Sequence, residues 1–374
     1  MTSFNEAATL PSPCTLTLVV PCYNEEATLD KCVERVLGLK SESLHLEIII
    51  VDDCSQDNSL EVARVLEQQY PEVTVFHHEV NKGKGAALRT GFAHATGDFV
   101  GVQDADLEYE PLEYKKLLEP LQRNEADVVF GSRYLRPGSR RVLYFWHSWM
   151  NKTLTFLSNM MTNMDISDME TCYKLFRREI IQAMDLKENR FGIEPEIVSN
   201  VAQMRCRVWE CAITYLPRTY EEGKKIGWKD GARALYCILH YGAHTAPLPM
   251  QLLIYLFIGG VSAVSNILIF GMLLGIGMGI PTAVVLSFTG AALINYLLCI
   301  SILFRHKARW TTFGEIAAYL MTLAIMGAFD MGITLGLIGA GVSPMISRSL
   351  AALLGFIGNF LFRRYLVFPE KSIA

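Results

Sequence analysis

Short runs of β-branched and aliphatic residues alternate with polar, helix-forming stretches through the first third of the chain, at residues 16–20, 46–51, 73–76, 99–102 and 127–130. Strands spaced by helical segments pair in parallel, so the pattern predicts an α/β domain around a mainly parallel, Rossmann-like sheet. Ligands of such sheets gather beyond the C-terminal strand ends. Three polar clusters fall there: Pro21-Cys22-Tyr23-Asn24-Glu25, Asp52-Asp53-Cys54-Ser55 and Asp104-Ala105-Asp106.

The hydrophobic period then lengthens. Between residues 140 and 165, Leu143, Trp146, Met150, Leu154, Leu157 and Met161 recur at three- and four-residue steps, which predicts an amphipathic helix. Its flanking Arg140, Arg141, Tyr144, Trp149 and Lys152 suit a helix at a bilayer surface as well as one in a core. A second such helix is expected over residues 228–241.

From Pro249 to Phe304 there is no Asp, Glu, Lys or Arg, a length that fits two membrane spans of about 20 residues each. Four transmembrane helices are expected, at 249–274, 281–304, 314–338 and 345–367. Arg305, Lys307 and Arg309 follow the second and Arg363, Arg364 and Lys371 close the fourth, whereas residues 275–280 and 339–344 carry no charge. That asymmetry puts both ends of the region in the cytosol. The two halves also match, Asn295-Tyr296-Leu297 with Asn359-Phe360-Leu361, at an offset of 359 − 295 = 64. Two parallel repeats of two helices follow. Asp330 and Arg348 break the match with an acid and a base, expected to pair with each other or, alternatively, to line a lipid-phosphate pathway.

A chain of 374 residues with 51% hydrophobic content has room for two or three domains, and its net charge of −4 argues against nucleic acid as a partner. Nine scattered cysteines without a CxxC pair suggest neither a disulfide framework nor a zinc site, and fit a reducing cytosol. Residues 1–13 lack an apolar core behind a basic start, so no secretory signal is expected and the α/β domain is assigned to the cytosolic side. The expected division is a tail at 1–14, the α/β domain with its interfacial helices at 15–240, and the membrane domain at 241–374.

Candidate chemistry centres on Asp104 and Asp106, one residue apart just past an apolar run, with Glu108 next in step. Carboxylates so placed converge on Mg²⁺ or Mn²⁺, ions that share their shells with substrate phosphates; a solvated acidic turn is the plainer alternative. Asn81-Lys82-Gly83-Lys84-Gly85 adds backbone amides and positive charge before a helix, without the spacing of a P-loop. A nucleoside diphosphate whose leaving pyrophosphate is neutralised by the ion fits these groups.

Taken in order, Pro21-Cys22-Tyr23-Asn24-Glu25-Glu26, Val51-Asp52-Asp53-Cys54-Ser55-Gln56-Asp57, Gly83-Lys84-Gly85, Gly97-Asp98, Asp104-Ala105-Asp106, Gly131-Ser132-Arg133-Tyr134 and Asp168-Met169-Glu170-Thr171-Cys172-Tyr173-Lys174 resemble the motif series of family 2 glycosyltransferases. The resemblance covers residues 15–240 and is to the polyprenyl-phosphate hexose synthase branch, typified by dolichol-phosphate mannose synthase. The helices beyond, closing on Arg363-Arg364-Tyr365-Leu366-Val367-Phe368, resemble the GtrA-like membrane family.

The resemblance implies a GT-A fold, with Pro21, Tyr23, Glu25, Asp52, Asp53, Lys84 and Asp104 around the nucleotide sugar and Asp104, Asp106 and Glu108 around Mg²⁺ or Mn²⁺. Many members carry Gln where this chain has Glu108. Arg133, His147, Asn151 and Lys174 are expected at the acceptor phosphate, His147 standing where a typical mannose synthase has a second arginine. Asp106, Arg133 and Asp168 are implied as catalytic. A lipid phosphate, with a second pKa of about 6, is already largely a dianion at pH 7, so Asp168 is open between base, partner of Arg133 or Lys174, and helix cap. Phe191-Gly192-Ile193-Glu194 is expected to start a helix near the sugar, and residues 221–228 to form a loop closing over the pyrophosphate.

The implied activity is inverting, metal-dependent transfer of a hexose to undecaprenyl or dolichyl phosphate at the cytosolic face of the inner membrane. GDP-mannose is the leading donor and UDP-glucose the next, with the bilayer as a partner and self-association open. A processive polysaccharide synthase is an alternative, though no Gln-x-x-Arg-Trp motif is present. In another, the membrane repeats also flip the product.

Overall fold

The computed structural model describes residues 13–135, 141–217, 228–303 and 335–367, with scattered positions from 314 to 333. The expected closing loop before Trp228, most of the expected third membrane helix, Asp330 and the side chain of Arg348 lie outside the described residues. The chain divides into two compact units after Thr245.

The first unit is built on one sheet of seven strands, β1 (Cys14–Cys22), β2 (Leu44–Asp52), β3 (Val73–His77), β4 (Phe99–Val102), β5 (Val128–Ser132), β6 (Lys174–Arg177) and β7 (Val208–Ala212), in the order β3-β2-β1-β4-β6-β5-β7. The first five answer the expected runs. The sheet is mainly parallel, as expected of a GT-A domain, but β6 enters antiparallel between β4 and β5. Near-continuous Leu, Val and Ile bury β1 and β2 on both faces, the signature of strands covered by helices on each side. Four helices alternate with the early strands: α1 (Leu29–Leu37), α2 (Ser59–Gln69), α3 (Lys84–His94) and α4 (Tyr114–Gln122). Leu16, Leu18, Val20, Ile48, Ile50, Phe99 and Leu117 are fully buried in the central cluster, each such side chain stabilising the fold by roughly 1.5–3 kcal/mol. A Cβ on Gly91 would lie 2.2 Å from Val19 Cγ1, so the missing side chain is what lets α3 rest on β1.

The long amphipathic pattern forms α5 (Phe145–Thr162), closed by Asn163 in the left-handed region at φ 55°. Its stripe does not behave as one face. Leu154, Thr155, Ser158 and Met161 are buried, whereas Phe145, Trp146, Trp149, Met150 and Phe156 are exposed. The buried half packs against α7 (Ile193–Gln203) and α8 (Trp228–Gly242), which follow the short α6 (Arg178–Ala183). Because α8 continues past residue 240 to Gly242, the unit ends later than the sequence pattern suggested.

Among the described residues of the second unit are α9 (Leu248–Gly275), α10 (Ile280–Leu298) and α11 (Pro344–Phe362). Two apolar stretches, Leu248–Gly275 and Leu286–Leu303, are long enough to cross a membrane. Arg363, just past α11, donates from Nη1 to Asn295 Oδ1 (2.6 Å) and from Nε to Asn359 Oδ1 (3.1 Å), with its guanidinium 5.5 Å from the Tyr255 ring centroid. The two asparagines matched by the 64-residue offset therefore meet on one guanidinium.

Candidate functional site

The C-terminal rim of the sheet carries the polar clusters. Asp52 ends β2 and is fully buried; its Oδ2 accepts from the Ser55 N–H (3.2 Å) and meets His77 Nδ1 (2.9 Å), while Oδ1 is shielded with no partner. A buried carboxylate oxygen left so loses its hydration without replacement, a cost that a ligand's N–H removes. Asp53 is engaged by the protein on both oxygens. Its Oδ1 accepts from the Lys82 N–H (2.9 Å) and meets His78 Nδ1 (2.7 Å), and its Oδ2 accepts from the Gly83 N–H (2.6 Å). Asp53 thus shapes the loop that enters α3. Pro21, Tyr23 and Glu25 close β1 on the same rim, the Tyr23 ring exposed and Glu25 Oε2 accepting from the Thr28 hydroxyl (2.9 Å).

Lys84, the first residue of α3, brings its Nζ within 2.8 Å of Asp104 Oδ1, 3.7 Å of Glu194 Oε1 and 3.0 Å of Cys172 Sγ. Burial works against the ammonium charge, but Asp104 foremost outweighs it and holds the Lys84 pKa well above the usual lysine value.

The three expected metal ligands are not gathered. Asp106 Oδ1 accepts from the Glu108 N–H (3.1 Å) and Leu107 adopts φ 63° in the turn between them. Glu108 Oε2 accepts from the Tyr215 hydroxyl (2.8 Å) and its carbonyl from the Leu216 N–H (2.9 Å). Among the described residues no group of three or more His, Cys, Asp or Glu is placed to hold an ion. Asp104 and Asp106 alone still fit a hard divalent ion, since Mg²⁺ is commonly bound through one or two carboxylates with phosphate and water completing the shell.

Elsewhere on the rim, Arg133 follows β5 and grips Asp168. Nε donates to Oδ2 (2.7 Å), Nη2 to Oδ1 (2.8 Å), and the Arg133 backbone N–H to Oδ2 (3.0 Å). Burial opposes the guanidinium charge, and Asp168 more than offsets it, raising the Arg133 pKa well above its ordinary value. A carboxylate fully buried and so engaged orients Arg133, one of the readings left open for Asp168. Lys174 is 1% exposed, its Nζ donating to the carbonyls of Met169 (2.8 Å) and Thr171. Burial lowers its pKa, and its two bonds brace the loop carrying Asp168. His147 and Asn151 lie one turn apart on α5, both half-buried.

Several groups at this rim were not singled out by sequence. The Arg133 guanidinium lies 5.2 Å from the Tyr215 ring centroid, so Tyr215 links Glu108 to Arg133. Tyr173 donates its hydroxyl to Gln103 Oε1 (2.6 Å) and stacks on Tyr109 at 4.6 Å, bracing the end of β4. Glu170 has its carboxyl pushed up to about 7 by burial, with the charge of Glu194 adding to the effect. The pairing of Asp52 and Asp53 with His77 and His78 was readable in principle, because both doublets sit at the ends of neighbouring strands, Asp52 in register with His77.

Residues 17–184 match the family model described as "Glycosyl transferase family 2", and residues 254–368 match "GtrA/DPMS, transmembrane domain". A dolichol-phosphate mannosyltransferase of Pyrococcus furiosus is 30% identical over 214 residues, covering 57% of this chain and 59% of the relative. A dolichyl-phosphate beta-glucosyltransferase, ALG5A, of Trichomonas vaginalis is 31% identical over 219 residues, covering 55% of this chain and 67% of the relative. The chain thus spans under two thirds of the first relative's length. A solved glucosyl-3-phosphoglycerate synthase of Mycobacterium tuberculosis, in complex with Mn²⁺, UDP and glucosyl-3-phosphoglycerate, superposes with TM-score 0.49 at 18% identity, covering 63% of this chain and 81% of that one. The ordered rim motifs and the two model matches lead to one assignment: the chain belongs to glycosyl transferase family 2 and carries a GtrA/DPMS transmembrane domain behind its sheet domain.

Proposed function

We propose that the chain transfers a hexose from a nucleoside diphosphate sugar to a polyprenyl phosphate at the cytosolic face of a membrane, with inversion at the anomeric carbon. The observation that carries this reading is the presence on one sheet rim of two phosphate-directed devices. Asp104 and Asp106 with Lys84 suit a metal-bound pyrophosphate, and Arg133, fixed by Asp168, suits a second phosphate. The names of two relatives, both for transfer to dolichyl phosphate, support the acceptor class, as does the match to a membrane domain. GDP-mannose is the leading donor and UDP-glucose the next.

Asp104 and Asp106 would hold Mg²⁺ or Mn²⁺, which would supply charge neutralisation for a diphosphate leaving group. Lys84 adds a fixed positive charge beside Asp104. Arg133, pre-oriented by its partner, aligns the lipid phosphate, for which a planar guanidinium offers paired donors. That phosphate is already a nucleophile at pH 7, its second pKa being about 6, so no side chain has to remove a proton. Attack from the face opposite the diphosphate inverts the sugar carbon in one displacement.

Incubating the full-length protein with GDP-mannose, UDP-glucose, undecaprenyl phosphate and Mg²⁺ or Mn²⁺ tests the proposal by product mass. A hexosyl undecaprenyl phosphate that disappears on adding EDTA is expected. A polymer, or only free hexose, would sink it.

A further inference from the structure

A hexose in transit has to lie between the leaving diphosphate and the incoming phosphate. Two acids with solvent-shielded carboxyl oxygens flank the groups assigned to those phosphates. Glu194 begins the first turn of α7, is 5% exposed, and has Oε1 3.7 Å from the Lys84 Nζ that also binds Asp104. Its Oε2 is shielded from solvent and has no hydrogen-bond partner. Glu170 lies two residues beyond Asp168, the partner of Arg133, and its Oε1 is likewise shielded and unpartnered. Lys84 Nζ, which meets Glu194, also lies 3.0 Å from the Sγ of Cys172, two residues beyond Glu170, so the segments carrying the two acids converge on one ammonium. One acid is therefore tied to the diphosphate side and the other to the acceptor side, and each presents an acceptor atom that the protein leaves unsatisfied.

Buried orphan acceptors are uncommon because each forfeits a hydrogen bond to water. Two in one place, flanked by two lysines, are a poor way to stabilise a core: Lys174 spends its ammonium on the Met169 and Thr171 carbonyls. They are a good way to receive hydroxyl protons, since carboxylates accept the strong, charge-assisted hydrogen bonds by which sugar hydroxyls are recognised. Resting on the proposed function, we infer that Glu170 and Glu194 form the hexose subsite, accepting hydroxyls of the donor sugar and setting which hexose the enzyme takes.

The test compares each nucleotide sugar with its own diphosphate. Calorimetric titration of the full-length protein with GDP, GDP-mannose, UDP and UDP-glucose in Mg²⁺ is repeated for Glu170→Gln and Glu194→Gln. Hydrogen bonds to charged groups contribute about 1.5–3 kcal/mol, so each variant is expected to weaken the sugar nucleotide by about tenfold or more while leaving the diphosphate unchanged. Monodeoxy donor analogues give a second readout on the wild type, independent of variant folding. At least one missing hydroxyl should cost the wild type a similar factor and cost the matching variant nothing further.

Equal weakening of sugar nucleotide and diphosphate would reduce the two acids to supports of Lys84 and overturn the inference. So would deoxy analogues that bind the wild type as tightly as the parent. Should the wild type bind its sugar nucleotides no better than the diphosphates, the subsite falls, while the transferase reading still stands or falls on the product assay.

Discussion

At Arg133 and Asp168 the motif announced chemistry but not its division of labour. Sequence order supplies an arginine and an acid; only the fork of two bonds, at 2.7 and 2.8 Å, shows that the acid is consumed by the arginine. The same holds for Lys174, whose place in the motif does not tell that its ammonium is buried against the Met169 and Thr171 carbonyls. At Glu108, the positive φ of Leu107 and the bond from Tyr215 leave no mark in a string of letters. Asp168→Asn keeps the shape and loses the ion pair, so Arg133 is expected to drift and kcat to fall by about 10²-fold, with the shape of the pH profile unchanged. A lost acidic limb in that profile would reinstate Asp168 as a base. Asp168→Ala strands the guanidinium and should destabilise the protein by about 3–5 kcal/mol in denaturant titration.

Elements fared unevenly for a physical reason. Strands β1, β2 and β3 are long or apolar enough to speak for themselves, and β4 was read to the residue. β6 has four residues with Lys174 and Arg177 at its ends, too short and too charged to signal a central strand, and its antiparallel entry is decided by neighbours far away in sequence. α5 was predicted as a helix, yet the division of its stripe into buried and exposed halves depends on α7 and α8. The loop before α3 offers a sharp test of element geometry. Gly83 has φ 98°, and a Cβ there would sit 2.4 Å from the Asn189 carbonyl oxygen. Gly83→Ala should therefore cost about 1–3 kcal/mol and weaken diphosphate binding. Gly231→Ala in α8, with nothing within 4 Å of its would-be Cβ, should instead leave stability unchanged or raised by about 0.4–1 kcal/mol. Equal effects in thermal melts would contradict this assignment.

For the whole molecule, the division after Thr245 separates a sheet domain with its own core from apolar helices. A chain ending at Thr245 is expected to unfold cooperatively and to adhere to vesicles through Phe145, Trp146 and Trp149. Alkaline carbonate should strip it away, whereas the full chain should need detergent; loss of the cooperative melt would show that the core is not self-sufficient. The position of β6 reaches further than its size. Strands β3, β2, β1 and β4 join β5 and β7 only through it, and its entry brings residues 168–173, with Asp168, Glu170 and Tyr173, to the rim. As the ribosome releases the chain, β5 emerges before β6 but cannot be seated until residues 174–177 arrive to lie between it and β4. On the proposed function, the diphosphate and acceptor places are therefore completed together, once residues 174–177 have joined the sheet.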